Sequence, residues 1–507
     1  MTRHQLGIVA ITLVAWMSPV GLVGQQPAAP QAEQRIIAEG AGARVFGTCG
    51  SCHGKIEEAP SLLSLKRMTP EKVHEAITTG IMKAQAAHLS DQQKIDLAEW
   101  IGGRKLGSTG SGDAKTMSNV CANKPPVRNS SSVSSWNGWS ANPLTNTRYQ
   151  TAKAAGLSPA AVSRLQLKWA FGLPAASSAY GQPTVVDGRV FVGSDSGYLY
   201  SIDAKSGCVH WSFQAQSGLR STPMLGPAKP GSSQTAAFFG DVRGNIYSVD
   251  ASNGELLWRV PIDPHPLSRI TAGVKVYDGR VYVAVASLEE PESWSHNYLC
   301  CTFRGMVVAL DAATGKQIWK THTITEEPTP RKNAKGANFL GPSGAGVWGP
   351  VTLDPKRRAV YFSTGNAFSA PDVGRSDAVM AVHMDTGAIL WSQQAQHGDV
   401  WHSSQCGAGP PPPGQPPRSA GRRPNPNPTS GPPRQQQPQQ RFEVPDHYYC
   451  PDEKQNPDWD FSAGVMLVDL PNGKSLVVAG QKSGMVWAHD PDQKGKLVWS
   501  ADISRGQ

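Results

Sequence analysis

No stripe of lysines and arginines with aromatic residues set between them occurs in this sequence. The 507 residues carry 48 Lys and Arg against 39 Asp and Glu, a formal net charge of +9. The cations are nevertheless scattered among acids, which excludes a nucleic-acid groove. Long apolar runs are equally scarce. The run of note, Leu6–Trp16, falls short of the roughly 20 residues that a membrane-crossing helix needs. A mean hydropathy of −0.36, with polar turns, points to a soluble protein. Preceded by Arg3 and His4 and followed by small residues near Gly24, the run reads as a signal peptide over residues 1–24. An uncleaved membrane anchor is the alternative, and the expected location is periplasmic.

Cysteine is sparse, at eight residues. Two stand in GTCGSCHG, where Cys49, Cys52 and His53 form CxxCH at the end of an expected helix. Two thiols at this spacing form thioethers with haem vinyls, and the adjacent His53 reaches the iron. A redox CxxC pair would not require the following histidine. The sixth haem ligand is expected to be Met82, ahead of the last helix of the unit, with Met68, His74 and His88 as alternatives. A His/Met pair raises the potential of a haem that accepts electrons. Residues 34–103 thus read as a small all-α cytochrome c domain. The other six cysteines can pair fully in an oxidising compartment; Cys121–Cys208, Cys300–Cys301 and Cys406–Cys450 is the set suggested, though the sequence leaves the connectivity open.

The rest of the chain repeats one phrase. LDAATGKQIW at Leu310–Trp319 has variants at Ile202–Trp211, Val249–Trp258, Val382–Trp391 and His489–Trp499. Each is an apolar run ending at Asp or a substitute, then a polar turn with Gly, then a strand carrying Trp. Spacings of 47 to 108 residues between these tryptophans fit four-stranded blades, and therefore an all-β propeller over residues 136–507 in which Trp docks one blade on the next. Residues 104–135, rich in Gly, Ser and Asn, read as a linker interrupted by Cys121. Residues 407–440, dense in Pro, Gln and Arg, read as a disordered insertion between Cys406 and Cys450.

The haem motif, the export signal, the Trp repeat and the vicinal Cys300–Cys301 together resemble the quinohaemoprotein alcohol dehydrogenases that use pyrroloquinoline quinone (PQQ). WNGWSANPLTNTRYQ, LQLKWAFGLP, YLCCTFRGMVVALDAATG and AGQKSGMVWAHDPD are most similar to polyvinyl-alcohol dehydrogenases with a cytochrome c domain. The resemblance implies PQQ on the propeller axis beside calcium, an ion that takes oxygen ligands. By position it implies Glu289 as the carboxylate ligand, with Glu290 competing, and Asn366 of the TGN turn as the amide ligand. Trp348 would stack flat on the quinone, and a Cys300–Cys301 disulfide would cover its other face. Arg220, Thr271 and Lys482 would meet the cofactor's carboxylates and quinone oxygens.

The family's base is the Asp of a Trp-Asp pair. HGDVWH places His402 where Asp is expected, whereas PDWDFSAGVM supplies Asp460; Asp399 and Asp458 are the fallback carboxylates. Ser462 stands where lanthanide enzymes carry a further Asp, which favours calcium. The implied reaction oxidises a secondary or polymeric alcohol and passes electrons to the haem, then to an external acceptor such as a soluble cytochrome or the respiratory chain. PQQ dehydrogenation of sugars or small alcohols is an alternative. A non-catalytic Trp-repeat scaffold needs none of the TGN turn, the Cys pair or the Trp-Asp pair. The family closes eight blades, while the repeats here stop at Trp499. A fragment or truncated product with open edges is therefore expected.

Overall fold

The computed structural model describes residues 40–50, 53, 62–66, 68–108, 111–128, 135–176, 178–292, 298–332, 338–401 and 458–504. The signal peptide, Cys52, His402, Cys406, Cys450 and the Pro/Gln-rich stretch lie outside them. Helices α1 (Ala41–Cys49), α2 (Leu62–Leu65), α3 (Pro70–Thr78) and α4 (Asp91–Gly102) make the first unit. Thr69 caps α3, and Ser90 with Gln93 forms a reciprocal capping box on α4, satisfying amides that a helix start leaves bare. Val45, Val73, Ile77, Leu97, Ala98 and Ile101 form its core.

Among the described residues five antiparallel blades follow, with two further two-stranded sheets, Thr329–Lys332 with Asn338–Gly341 and Ser343–Gly344 with Ala367–Ser369. Blade 1 comprises Thr184–Val186, Arg189–Gly193, Tyr198–Asp203 and Val209–Gln214, extended by the short strand Ser135–Trp136. Blade 2 runs from Met224 to Pro261, blade 3 from Ser268 to His322, blade 4 from Thr352 to Gln394 and blade 5 from Met466 to Asp502. Every blade carries the same register shift between its last two strands, at Ser201/Ile202, Ser248/Val249, Ala309/Leu310, Ala381/Val382 and Ala488/His489. That bulge lies just before the repeated turn, which Asp caps directly: Asp311 Oδ1 accepts from Thr314 N at 2.9 Å and Thr314 Oγ1 at 2.7 Å.

The Gly of each turn explains the docking. Trp211 lies on Gly254 of blade 2, Trp258 on Gly315 of blade 3, Trp319 on Gly387 of blade 4 and Trp391 on Gly495 of blade 5. A Cβ at any of these glycines would come within 2.4–2.7 Å of the ring, and each has positive φ, so glycine meets two demands at once. The indoles of Trp211, Trp258 and Trp319 donate to Ala251, Ala312 and Met384 carbonyls at 2.9–3.0 Å. Trp169, from LQLKWAFGLP, docks on Gly207 of blade 1 in the same way.

Residues 111–128 differ from the expected linker because they bury apolar side chains on blades 1 and 2. Ala114, Cys121 and Val127 are nearly inaccessible, Cys121 is disulfide-bonded to Cys208, and Thr235 Oγ1 donates to Val127 O at 3.1 Å.

Residues 135–147 form a strap that touches all five blades. Trp136 pairs with Val185 of blade 1, and Asn137 binds Leu225 of blade 2 through both N–H and C=O. Pro143 O accepts from Lys275 Nζ of blade 3 at 2.6 Å. Leu353 N of blade 4 donates to Leu144 O, and Leu467 N of blade 5 to Thr145 O.

Lys275 is 1 % exposed, and burial lowers its pKa to about 7. The folded state therefore binds fewer protons than the unfolded chain between about pH 7 and the ordinary lysine value near 10.4. Stability should rise with pH across that window, by at most about 1.4 kcal/mol per pH unit for one proton. Lys275→Met is expected to flatten that slope in urea unfolding of the propeller at pH 7 and pH 10; an unchanged slope would refute the assignment.

Candidate active site

A cavity of about 410 Å³ is lined by Trp139, Tyr180, Arg220, Thr271, Glu290, Trp348, Asp460 and Lys482, among others. Its acidic edge is built on the TGN turn of blade 4. Asn366 N donates to Asp460 Oδ1 at 2.7 Å, and Lys482 Nζ donates to Asp460 Oδ2 at 2.5 Å and to Asp458 Oδ1 at 3.1 Å. Gly365 makes the close approach feasible, since a Cβ there would stand 2.4 Å from Asp460 Oδ1. Lys482 N also donates to Asp460 O at 3.0 Å, so one lysine fixes both main chain and side chain of the aspartate.

Carboxyl groups outnumber cations at this edge. Burial, then Asp460 and Asp458, push Glu290 well above the ordinary carboxylate range. Burial followed by Asp460 raises Asp458 to about 7, and burial raises Asp399 to about 6. Asp377, fully buried with neither carboxylate oxygen hydrogen-bonded, is also pushed well up by burial and by Asp399. Burial opposes the charge on Lys482, but Asp460 and Asp458 outweigh it and lift the ammonium above its usual value. One ammonium facing this set leaves room for a further cation.

Asn366 sits behind Asp460. It is 0 % exposed, and its Nδ2 donates to Ala367 O at 3.0 Å and Trp401 O at 2.6 Å. Two carbonyl acceptors identify that atom as nitrogen, so the unpartnered buried atom is the amide oxygen, Oδ1. The Trp348 indole Nε1 is likewise buried without a partner. Thr271 Oγ1 donates to Trp348 O at 3.2 Å. Arg220 stacks 4.9 Å over Tyr180 and makes no ion pair with a carboxylate among the described residues.

Two expectations fall elsewhere. Glu289 is wholly buried, and its carboxylate is taken up by Thr302 N, Phe303 N and Tyr298; Glu290, its neighbour, lines the cavity. Cys300 and Cys301 are disulfide-bonded, but they pack in an apolar cluster with Phe303, Met306 and Phe368 rather than on the cavity wall. In the helical unit, His53 N donates to Cys49 O at 3.1 Å, which keeps the two within one turn. Met82 and Met68 both pack with Cys49 against the core, His74 lies on α3, and His88 is exposed.

Comparison with known proteins places the chain in a family. Residues 136–405 match the family described as "Glucose/ethanol/alcohol dehydrogenase, beta-propeller domain". The chain belongs to the PQQ-dependent alcohol dehydrogenase family. Residues 38–101 match "Cytochrome C oxidase, cbb3-type, subunit III", so this PQQ-dependent dehydrogenase carries a c-type haem domain before its propeller. It is 33 % identical over 472 residues to a polyvinylalcohol dehydrogenase from a Pseudomonas species, covering 90 % of this chain and 67 % of the relative. A polyvinylalcohol dehydrogenase from Sphingopyxis sp. (strain 113P3) is 30 % identical, with 98 % and 72 % covered. A solved quinohemoprotein alcohol dehydrogenase from Comamonas testosteroni superposes with a TM-score of 0.43 at 17 % identity, over 65 % of this chain and 43 % of that one. Among the described residues no helix of this dehydrogenase is long and apolar enough to cross a membrane.

The sequence reading missed Trp139, Tyr180 and the buried Asp377. Trp139 was visible in WNGWSANPLTNTRYQ; Asp377 carries no motif signal.

Proposed function

We propose that this dehydrogenase oxidises secondary or polymeric alcohols of the polyvinyl-alcohol kind in the periplasm, with Asp460 as the base. The observation that carries the reading is the Asp460 carboxylate, aligned by a backbone N–H and an ammonium on the wall of the cavity that also holds Trp348. The residues fit the expected groups. Trp348 offers a flat aromatic wall to a planar cofactor. Arg220, Thr271 and Lys482 offer two cations and a hydroxyl to its carboxylates and carbonyls. Among the described residues no three His, Cys, Asp or Glu side chains converge tightly enough to hold a metal alone. A calcium ion would instead combine the Glu290 carboxylate with the Asn366 amide oxygen and oxygens of the cofactor, the hard donors it prefers. Glu290 therefore replaces Glu289 as the proposed carboxylate ligand.

When bound, PQQ supplies the hydride acceptor and calcium a Lewis acid. The chain supplies the rest. Asp460 removes the alcohol's hydroxyl proton as the carbon-bound hydride leaves. Lys482 keeps that carboxylate aligned and screens it from Asp458. Cys49 and Cys52 would tether a haem and His53 and Met82 would ligate its iron, supplying a one-electron carrier between the propeller and an external acceptor.

The test is reconstitution. Haem-loaded protein is given PQQ, calcium and a secondary alcohol while the haem absorbance is followed. Reduction that requires all three additions is the expected result. A haem that stays oxidised in folded, haem-loaded protein would refute catalysis by this chain and leave the scaffold reading.

A further inference from the structure

Two adjacent glutamates begin the short helical turn Glu289–Glu292, and successive side chains on a helix point about 100° apart. Glu290 lines the cavity. Glu289 points the other way into a closed set of donors: Oε1 accepts from Thr302 N at 2.7 Å, Tyr298 Oη at 2.8 Å and Thr302 Oγ1 at 3.3 Å, and Oε2 accepts from Phe303 N at 2.7 Å. His265, from the connection between blades 2 and 3, completes the set. Its Nε2 lies 3.6 Å from Glu289 Oε1 and 3.1 Å from Thr302 Oγ1. The carboxylate is thus fixed in place, with its lone pairs taken up by donors.

We propose that Glu289 is a positioning residue that aims Glu290 into the cavity and ties the Cys300–Cys301 loop to the helical turn. The proposal rests on Glu290 being a cation ligand. The turn contains few residues and has no length of helix to stiffen it, so its orientation must come from tertiary bonds. Glu289 provides these on one side, and its backbone N–H provides another, donating to Ser287 Oγ at 2.9 Å. The same carboxylate binds the two amides just after Cys301, while Cys301 N and Cys300 O bind Leu340 on the other side. The vicinal pair is thereby held between two anchors, away from the cavity but rigidly joined to the residue beside Glu290. Carboxylates and amides that orient a metal ligand from behind typically set affinity by about 10–100-fold.

The test uses the full, haem-loaded protein with PQQ, titrated with calcium by calorimetry. Glu289→Gln keeps the shape but removes the charge that organises four donors, so calcium affinity should fall about 10–100-fold. Amide exchange at Thr302 and Phe303 should rise at the same time, while blades 1 and 5 exchange as before. Tyr298→Phe, which removes one donor, should weaken calcium less and in the same direction. Wild-type calcium affinity in Glu289→Gln, with faster exchange at Thr302 and Phe303, would overturn the positioning role. If Glu289→Gln does not fold, unchanged affinity in Tyr298→Phe overturns it instead. Glu290→Gln separates the two layers: if it binds calcium normally, the ligand assignment itself is wrong, whatever Glu289 does.

Discussion

Asp460→Asn is expected to lower kcat for alcohol-dependent haem reduction by about 10²–10⁴-fold, the usual loss when a positioned base is removed. The asparagine amide is isosteric, so the cavity wall and the contact with Asn366 N remain, and KM should change little. A fall in kcat with KM preserved marks an interaction made in the transition state. Two neighbours provide the control. Asp458 shares Lys482 with Asp460 but does not line the cavity, and Asp399 is fully buried with one oxygen bound to Trp459 N at 3.1 Å. Asp458→Asn and Asp399→Asn should therefore cost much less than Asp460→Asn. Stopped-flow haem reduction measures all three. An Asp460→Asn enzyme that reduces its haem at the wild-type rate would move the base elsewhere, and a deep loss in Asp399→Asn would identify where.

What the sequence showed depended on how local the signal was. Each blade is a contiguous stretch whose turn needs an acceptor, a glycine and a ring within ten residues, so LDAATGKQIW and its variants disclosed the architecture directly. CxxCH is equally local. The PDWDF and TGN motifs single out Asp460 and Asn366, and the structure joins these two residues, far apart in sequence, through one hydrogen bond. The choice between Glu289 and Glu290 was different in kind. Adjacent carboxylates at the end of a strand are equivalent until a loop carrying Tyr298, Thr302 and Phe303 closes on one of them, and no spacing rule encodes that closure. Residues 111–128 misled for a related reason. Their Gly, Ser and Asn content is that of a linker, but Ala114, Cys121 and Val127 are enough to dock the segment once blade 1 offers a surface and Cys208 a partner.

The strap carries the largest expected effect on stability, at Asn146. This residue is 2 % exposed and has φ of +60°, a conformation that asparagine accepts more readily than most residues. Its Nδ2 lies 3.0 Å from Pro350 O, 3.1 Å from Val351 O, 2.9 Å from Thr352 Oγ1 and 3.1 Å from Val465 O. One amide group thus joins the strap to blade 4 and to the start of blade 5, where Thr352 Oγ1 also donates to Val465 O at 2.5 Å. Asn146→Ala removes the donor from buried carbonyls, opens a small void and places a Cβ-bearing residue without a compensating side chain in left-handed backbone. Unsatisfied buried acceptors cost about 1–3 kcal/mol and the left-handed conformation about 1–2 kcal/mol, so a loss of roughly 3–4 kcal/mol is expected in urea unfolding followed by tryptophan fluorescence. Asn146→Gly isolates the two parts. It loses the same hydrogen bonds but tolerates the positive φ, and should recover about 1 kcal/mol of the deficit. Equal stability of the Ala and Gly variants would show that backbone conformation contributes nothing here, and wild-type stability in both would mean that the strap does not hold blades 4 and 5 together.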